Sequence, residues 1–204
     1  MKKIPIILTV LFVSLCLVGT KASAEVQAYG DVLYELVTKP DGKKEVIIVG
    51  KNGLNKDIVI PATIKTYPVT EIANHAFYTP GSDYQSELVD LQDNEAYLAQ
   101  LITSVTIPNS VKRIGENAFA ANRLTAVRLP TNLEEIGYGA FSDNQLTTVT
   151  LLSKLKTIGK YAFSSNQLTM FAVPNTVTSI LGDIVAENKI KKVSVPSHLQ
   201  TKKD

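Results

Sequence analysis

Apolar and polar positions repeat along the chain with a period of 22 residues. The stretch that begins at Ile114 reads IGENAFAANRLTAVRLP, and those that begin at Ile136 and Ile158 read IGYGAFSDNQLTTVTLL and IGKYAFSSNQLTMFAVP. In each unit an Ile-Gly pair, an Ala-Phe pair, an asparagine and a leucine keep the same offsets. Units of this length bury their apolar face only by stacking on one another, so the pattern predicts a solenoid.

The apolar columns continue on both sides of these three units. Towards the C-terminus, Ile184-Val185 stands in place of Ala-Phe and is followed by Asn188. Towards the N-terminus, Ala96-Tyr97 lies 22 residues before Ala118-Phe119, and an earlier unit ends at Ala76-Phe77. The pattern predicts five clear or worn units and one divergent unit over residues 79–97.

Each position of the unit has a physical role. The phenylalanine is expected to fill the interior between two walls of the solenoid, and the asparagine is expected to bond backbone groups at a bend and to form a ladder with its copies. The glycine of the Ile-Gly pair suits either a turn that needs positive φ or a close approach of two backbones. Both alternatives are open from sequence alone.

A period-two pattern follows the asparagine. Val127 and Leu129 alternate with Ala126 and Arg128, which predicts one short strand per repeat with one buried face. The proline that comes next, Pro130 in this unit, has no N–H to donate and is expected to end the strand.

The polar partners of these strands predict an outward, concave binding face. The face is small and polar, and Arg128 is the one residue in it of a type that binding hot spots favour. The alternative is that these are ordinary solvated strand residues. The predicted face consists of Ser104, Thr106, Ala126, Arg128, Thr148, Thr150, Met170, Ala172, Lys192 and Ser194.

The segment before the repeats has a different pattern. Residues 32–37 and 45–49 read as two strands joined across a turn-rich linker, Pro40 to Lys43, and such a hairpin would cover the first repeat. We therefore predict a β-hairpin cap over 25–57, repeats over 58–196 and a polar tail over 197–204. The last predicted strand looks poorly capped and could be an exposed edge, a dimer contact or the end of a shortened ancestor.

The first 24 residues have the layout of a cleaved signal peptide. Two lysines precede an apolar run, and Ala22-Ser23-Ala24 supplies a cleavage site. The run of about 15 residues is short for a permanent membrane anchor. Lipidation at Cys16 is the other alternative, but Leu15 before it is larger than that modification normally accepts. We predict export and no stable membrane insertion after cleavage.

Removing the signal changes the charge of the chain. The full sequence has 21 Lys and Arg against 19 Asp and Glu, and residues 1–24 contain three lysines and no acid, so the mature chain has 18 against 19. Since no global basic field remains, nucleic-acid binding is not predicted. The mature chain also lacks cysteine, so its apolar core must hold it together.

The repeat unit I-P-x-x-V-x-x-I-G-x-x-A-F-x-x-N-x-L-T-x-V resembles the BspA-like, treponemal-type leucine-rich repeat proteins of bacterial surfaces. The resemblance covers about residues 30–200 and departs from the pattern at 79–97 and 180–185. It implies a leucine-rich repeat solenoid, mainly β with short helical or 3-10 turns. It also implies surface exposure and adhesion to host proteins or other cells, and it offers no catalytic residues.

Candidate chemistry is sparse. The mature chain has two histidines, His75 and His198, and His75 occupies a variable slot of the repeat, which favours an exposed residue over a general base. The acidic run between Asp83 and Glu95 lacks the spacing of a calcium loop and is more typical of the solvated face of a short helix. No cofactor, metal site or catalytic residue is predicted.

These observations favour a secreted or cell-surface bacterial protein that binds without catalysis. The expected partners are extracellular proteins or glycans of a host or of neighbouring cells. An envelope-associated structural scaffold without a host target is the first alternative, and an enzyme is the second.

Overall fold

The computed structural model describes residues 24–79, 98 and 100–199. It is a β-solenoid of about 6 turns with almost no helix, which confirms the predicted fold class. Six strands precede the regular repeats: β1 Gln27–Tyr29, β2 Val32–Thr38, β3 Lys44–Lys51, β4 Asp57–Val59, β5 Thr63–Ile64 and β6 Tyr67–Ile72. The others are β7 Ser104–Thr106, β8 Arg113–Ile114, β9 Glu135–Ile136, β10 Thr157–Ile158, β11 Met170–Ala172, β12 Ser179–Ile180 and β13 Lys192–Ser194, followed by the 3-10 helix η1 Ser197–Leu199.

One long sheet runs along the solenoid in the order β1-β2-β3-β6-β8-β9-β10-β12, with β5 paired to β6. Its first three strands are antiparallel, so β2 and β3 form the predicted hairpin. From β3 onwards every pair along this path is parallel, and β3 joins the hairpin to the first repeat through β6. Val46, Ile48, Val69 and Ile72 are fully buried where hairpin and repeat meet, so the hairpin extends the core.

The interior contains a single column of phenylalanines. Phe77, Phe119, Phe141 and Phe163 stack in order with ring centroids 5.0, 5.3 and 5.5 Å apart and ring planes within 10° of parallel. The last three are fully buried, as are the leucines after each bend, Leu124, Leu146 and Leu168. This column confirms the role predicted for the aromatic position.

The asparagines also form the predicted ladder. Asn122, Asn144, Asn166 and Asn188 each accept a hydrogen bond from a backbone N–H 20 residues earlier, at 2.9 to 3.0 Å. Each also donates to the carbonyl oxygen of a phenylalanine in the preceding layer, at 2.8 to 2.9 Å. Each asparagine therefore links its own layer to the one before it.

The glycines of the Ile-Gly pairs permit close backbone approach. Gly115, Gly137 and Gly159 do not have positive φ, which excludes the turn alternative. A Cβ on Gly137 would lie 2.7 Å from the backbone nitrogen of Glu116 and 2.7 Å from the carbonyl carbon of Gly115. Since neither atom belongs to a side chain that could rotate away, only glycine fits where these layers touch.

One short strand was predicted after the asparagine bend of each repeat, and in two of the repeats this strand is not formed. β7, β11 and β13 lie at the expected positions and end two residues before Pro108, Pro174 and Pro196. Residues 126–129 and 148–151 are not strands, and the continuous ladder is formed instead by β8, β9 and β10, which end at the isoleucine of an Ile-Gly pair, and by β12, where Leu181 replaces the glycine. At Gly115, Gly137 and Gly159 an added Cβ would meet the backbone of the preceding layer, and next to these glycines the hydrogen bonds of a sheet join successive layers.

The divergent unit predicted over 79–97 does not contribute a layer to the described stack. Phe77 stacks directly on Phe119, β6 pairs directly with β8, and β4 pairs directly with β7. Phe77 and Ile102 are 25 residues apart, whereas the equivalent Phe119 and Leu124 are 5 apart. The extra 20 residues therefore enter at the bend of one turn, and residues 80–97 themselves lie outside the described part.

The sequence predicts a signal peptide at the N-terminal end of the chain and a polar tail at the C-terminal end. The predicted signal peptide, 1–24, lies outside the described residues apart from Ala24. In the predicted tail, residues 197–199 form η1, and the His198 Nε2 atom lies 2.8 Å from the carbonyl oxygen of Val177, while 200–204 are outside the described part. Within the described ranges, no helix has the length and apolar character needed to cross a membrane.

Candidate binding surfaces

The ten residues of the predicted binding face are all exposed. They occupy equivalent positions in five successive layers, and the pairing of β11 with β13 holds the last two of these layers in register. Met170 is the most apolar member and is 64% exposed. The structure thus brings the ten residues to one side of the solenoid; that this side is the concave one and binds a partner stays a prediction.

The same face extends one layer further than the sequence indicated. Asp57 and Val59 in β4 lie opposite Ser104 and Thr106, and Val59 is 62% exposed. The Ser104 hydroxyl donates to Asp57 Oδ1 at 2.6 Å. The signal for this layer is the sequence Ile58-Val59-Ile60-Pro61, which has the same apolar alternation before a proline as the later units. We call these twelve residues the outward face.

The long parallel sheet carries charges that already have partners. The Arg113 guanidinium contacts Glu71 in the preceding layer at 2.5 Å and Glu135 in the following layer at 3.2 Å. Lys156 contacts Glu134 at 2.8 Å, and this hydrogen bond lowers the pKa of Glu134. Because these ions are paired between layers, this surface is better suited to holding the layers in register than to binding a charged ligand.

A third surface is a groove of about 460 Å³ on the wall before the asparagine bends. Its lining includes Tyr138 and Tyr161, whose rings meet edge to face with centroids 5.7 Å apart. Gly139 lies in the same column of the repeat as Asn117 and Tyr161, so the column lacks a side chain in the middle of the groove. We call this cavity the tyrosine groove.

Acids and hydroxyls complete the lining of the tyrosine groove. Three carboxylates, Asp143, Asp183 and Glu187, lie around it together with two buried serines, Ser142 and Ser164. Residues of four successive layers contribute to it, so the groove exists only in the stacked form of the chain. This combination of aromatic rings, hydroxyls and negative charge can bind a polar or cationic group.

The sequence did not identify this groove. The slot that contains Asn117, Gly139 and Tyr161 looked like a variable exposed position, and in the first unit it holds His75. His75 is indeed exposed, with its Nε2 atom 3.5 Å from Asn117 Nδ2. A possible signal was that tyrosine occurs twice within this otherwise variable stretch, at Tyr138 and Tyr161, in adjacent repeats.

The remaining candidates give no site. Among the residues that the structure describes, no three His, Cys, Asp or Glu side chains are grouped so that they could hold a metal ion. The acidic run between Asp83 and Glu95 lies outside the described residues, so neither of its two interpretations is tested.

Solved structures share this architecture. A leucine-rich repeat protein of Treponema pallidum matches with a TM-score of 0.60 and 23% identity, over 80% of each chain. A leucine-rich repeat protein of Bacteroides ovatus matches with a TM-score of 0.60 and 25% identity, over 83% of this chain and 41% of that one. A leucine rich cell surface protein of Faecalibacterium prausnitzii matches with a TM-score of 0.50 and 20% identity, over 87% of this chain and 44% of that one.

The chain thus spans less than half the length of two of these proteins. No curated protein matches it. A family model described as "BspA type Leucine rich repeat region" matches residues 92–204 in six copies. Repeat proteins of this fold are typically binding modules rather than enzymes. With its 22-residue units, its phenylalanine column and this match, the chain belongs to the BspA-type leucine-rich repeat family.

Proposed function

We propose that the protein is exported through residues 1–24 and acts at the bacterial surface as a non-enzymatic binding module. Its partners are extracellular proteins or glycans of a host or of neighbouring cells, and its role is adhesion or recognition. The resemblance of the first 24 residues to a signal peptide supports export. The match to a protein whose name places it at the cell surface supports the location.

The observation that carries the proposal is the exposure of the outward face. Solenoids use extended surfaces made of equivalent positions in successive layers to bind elongated partners. Here all ten predicted positions are exposed in five layers. Arg128 lies in the second of the five layers and is exposed, so its charge is open to a partner that approaches this face.

A direct binding measurement tests this proposal. The purified protein is titrated against immobilised extracellular-matrix proteins and cell-surface glycans by surface plasmon resonance. Arg128→Glu is compared with Arg123→Glu, which makes the same charge change at an exposed position between a bend asparagine and its leucine that is not one of the twelve residues of the outward face. We expect Arg128→Glu to slow association and change its salt dependence, and Arg123→Glu to bind as the wild type does.

Two results would count against this proposal. Equal binding by the wild type and by a variant with Arg128→Glu, Thr148→Glu and Thr150→Glu would show that the partner binds elsewhere. Deletion of the gene separates adhesion from the scaffold alternative: unchanged binding of cells to host matrix together with a weakened envelope would favour the scaffold.

A further inference from the structure

The tyrosine groove carries negative charge, and Lys160, which borders it, acts on Asp183 from beyond ion-pair distance. The side chains of Asp183 and Glu187 are oriented by neutral donors: Asp183 Oδ1 accepts from the backbone N–H of Val185 at 3.1 Å, and Glu187 Oε2 accepts from the Ser165 hydroxyl at 2.8 Å. Asp143 lines the groove as well. No lysine or arginine is among the lining residues, and in the described ranges neither Asp183 nor Glu187 forms an ion pair.

One aromatic ring of the groove, that of Tyr161, already interacts with a cation at the border of the groove. The Lys160 ammonium lies 4.5 Å from the centroid of the Tyr161 ring, and hydrogen bonding with Tyr161 raises the pKa of Lys160. Tyr138, the other ring, is 45% exposed and is available to a ligand. A positive charge over a tyrosine ring is stabilised by the negative face of the π system.

A buried hydroxyl in the groove lacks a hydrogen-bond partner. Ser164 is 6% exposed and lines the groove, and its Oγ atom has no partner among the described residues. Buried polar atoms are nearly always bonded in folded proteins, so an atom left without a partner is a place where a ligand can add a bond. A serine hydroxyl can accept a hydrogen bond from an ammonium or guanidinium N–H after rotation about χ1.

Together these features favour one class of ligand over the others. A metal ion needs convergent oxygens at short distance, and the described acids are not grouped in that way. A neutral sugar could stack on Tyr138, but it does not require three carboxylates. An extended organic cation can reach separated carboxylates while it packs on a ring, and a guanidinium group does both.

We propose that the tyrosine groove is a second binding site, separate from the outward face, and that it takes a basic side chain, arginine or lysine, from a partner protein. Tyr138 packs on the cation, Asp143, Asp183 and Glu187 supply the negative charge, and Ser164 accepts a hydrogen bond. The inference goes beyond the proposed adhesion function, because it assigns a location and a ligand chemistry that the outward face does not have.

Calorimetric titration with capped hexa-arginine tests the proposal, with hexa-citrulline as a neutral peptide of nearly the same shape. We expect saturable 1:1 binding of the arginine peptide at low salt, weaker binding as salt rises, and no binding of the citrulline peptide. A variant that combines Asp143→Asn, Asp183→Asn and Glu187→Gln keeps the acceptor atoms of the fold. It should bind at least about tenfold more weakly than the wild type.

Matched variants locate the site. Asp57→Asn removes one negative charge from the outward face and should leave peptide binding unchanged, as should Arg128→Glu. Tyr138→Phe should bind as the wild type does and Tyr138→Ala more weakly, because the ring rather than the hydroxyl packs on the cation. Equal binding of the two peptides would overturn the proposal, and so would full binding by the triple variant with an unchanged melting temperature.

Discussion

The side-chain oxygen of Asn144 accepts a hydrogen bond from the backbone N–H of Leu124, 20 residues earlier, at 3.0 Å. The amide nitrogen of the same side chain donates to the carbonyl oxygen of Phe119 at 2.9 Å and to that of Ser142 at 3.0 Å. Asn144 therefore satisfies a donor and an acceptor of the layer before it and an acceptor of its own layer. It is 8% exposed, so water cannot easily replace these bonds.

Replacing Asn144 by alanine should destabilise the protein by about 3 kcal/mol, because the buried backbone groups of Leu124 and Phe119 would lose their partner. Urea unfolding measures the free energy. Asn132→Ala is the control, since Asn132 also bonds the previous layer, through the carbonyl oxygen of Asn109, but at a more exposed position. We expect Asn132→Ala to lower the free energy of unfolding by less than about 1 kcal/mol. Equal losses would mean that burial does not decide the contribution of the bend asparagines.

Phe141→Ala should leave a cavity in the middle of the phenylalanine column and cost about 3–5 kcal/mol. Phe141 is fully buried between Phe119 and Phe163, so both of its stacked contacts disappear. Phe141→Leu restores part of the volume and should cost clearly less. The melting temperatures of the two variants measure the difference, and an unchanged value for Phe141→Ala would contradict the column.

Gly137→Ala should cost about 2–3 kcal/mol, because the added methyl group meets the backbone of Gly115 and Glu116. Gly50→Ala is the matched control. A Cβ at Gly50 meets the side chain of Leu33 at 3.4 Å, which can shift, and we expect a loss of less than about 1 kcal/mol. Chemical denaturation of both variants tests whether close approach of the layers is what requires glycine at Gly137.

The stability of the hairpin at acidic pH should depend on whether Glu35 is protonated. Burial raises the pKa of its carboxyl group, so the folded chain holds this proton more tightly than the unfolded chain. Stability due to Glu35 therefore falls as pH rises from its ordinary pKa, about 4.5, through the raised value. Glu35→Gln should remove this fall and stabilise the protein at pH 7 by a fraction of a kcal/mol, since the group is only partly buried.

Asp41 should make stability depend on pH in the opposite direction, so it is compared with Glu35. A hydrogen bond from Lys43 lowers the pKa of Asp41, so its contribution is present above the ordinary value, 3.8, and is lost as pH falls through the lowered one. Melting curves of the wild type, Glu35→Gln and Asp41→Asn between pH 3 and pH 7 measure both. Parallel curves for all three proteins would contradict the two assignments.

The positions that repeat most strictly were predictable from sequence. Phe119, Phe141 and Phe163 are 22 residues apart and stack because equal spacing along the chain becomes equal position in successive layers. The bend asparagines were predictable for the same reason. The continuous ladder at the Ile-Gly segments was not, because strands two residues long are too short to show a period-two pattern.

The divergent unit was predicted because Ala96-Tyr97 resembles the Ala-Phe pair and lies at the correct distance from Ala118-Phe119; residues 80–97 lie outside the described part, so the unit stays a prediction. Spacing alone cannot tell an added layer from an insertion of nearly the same length.

The tyrosine groove could not be predicted from sequence for another reason. It depends on residues from four layers and on the absence of a side chain at Gly139, and these combine only after the layers have stacked.

The insertion after Thr79 shows how the fold can be modified. Thr79 and Leu101, which border it, are both buried, and Phe77 and Ile102 keep the interlayer contacts of an ordinary unit. Extra sequence at this corner changes neither the packing nor the register of the layers on either side. A foreign peptide grafted at the corner of another unit, between Phe141 and Leu146 for example, would be displayed on a rigid rod as long as the asparagine is kept.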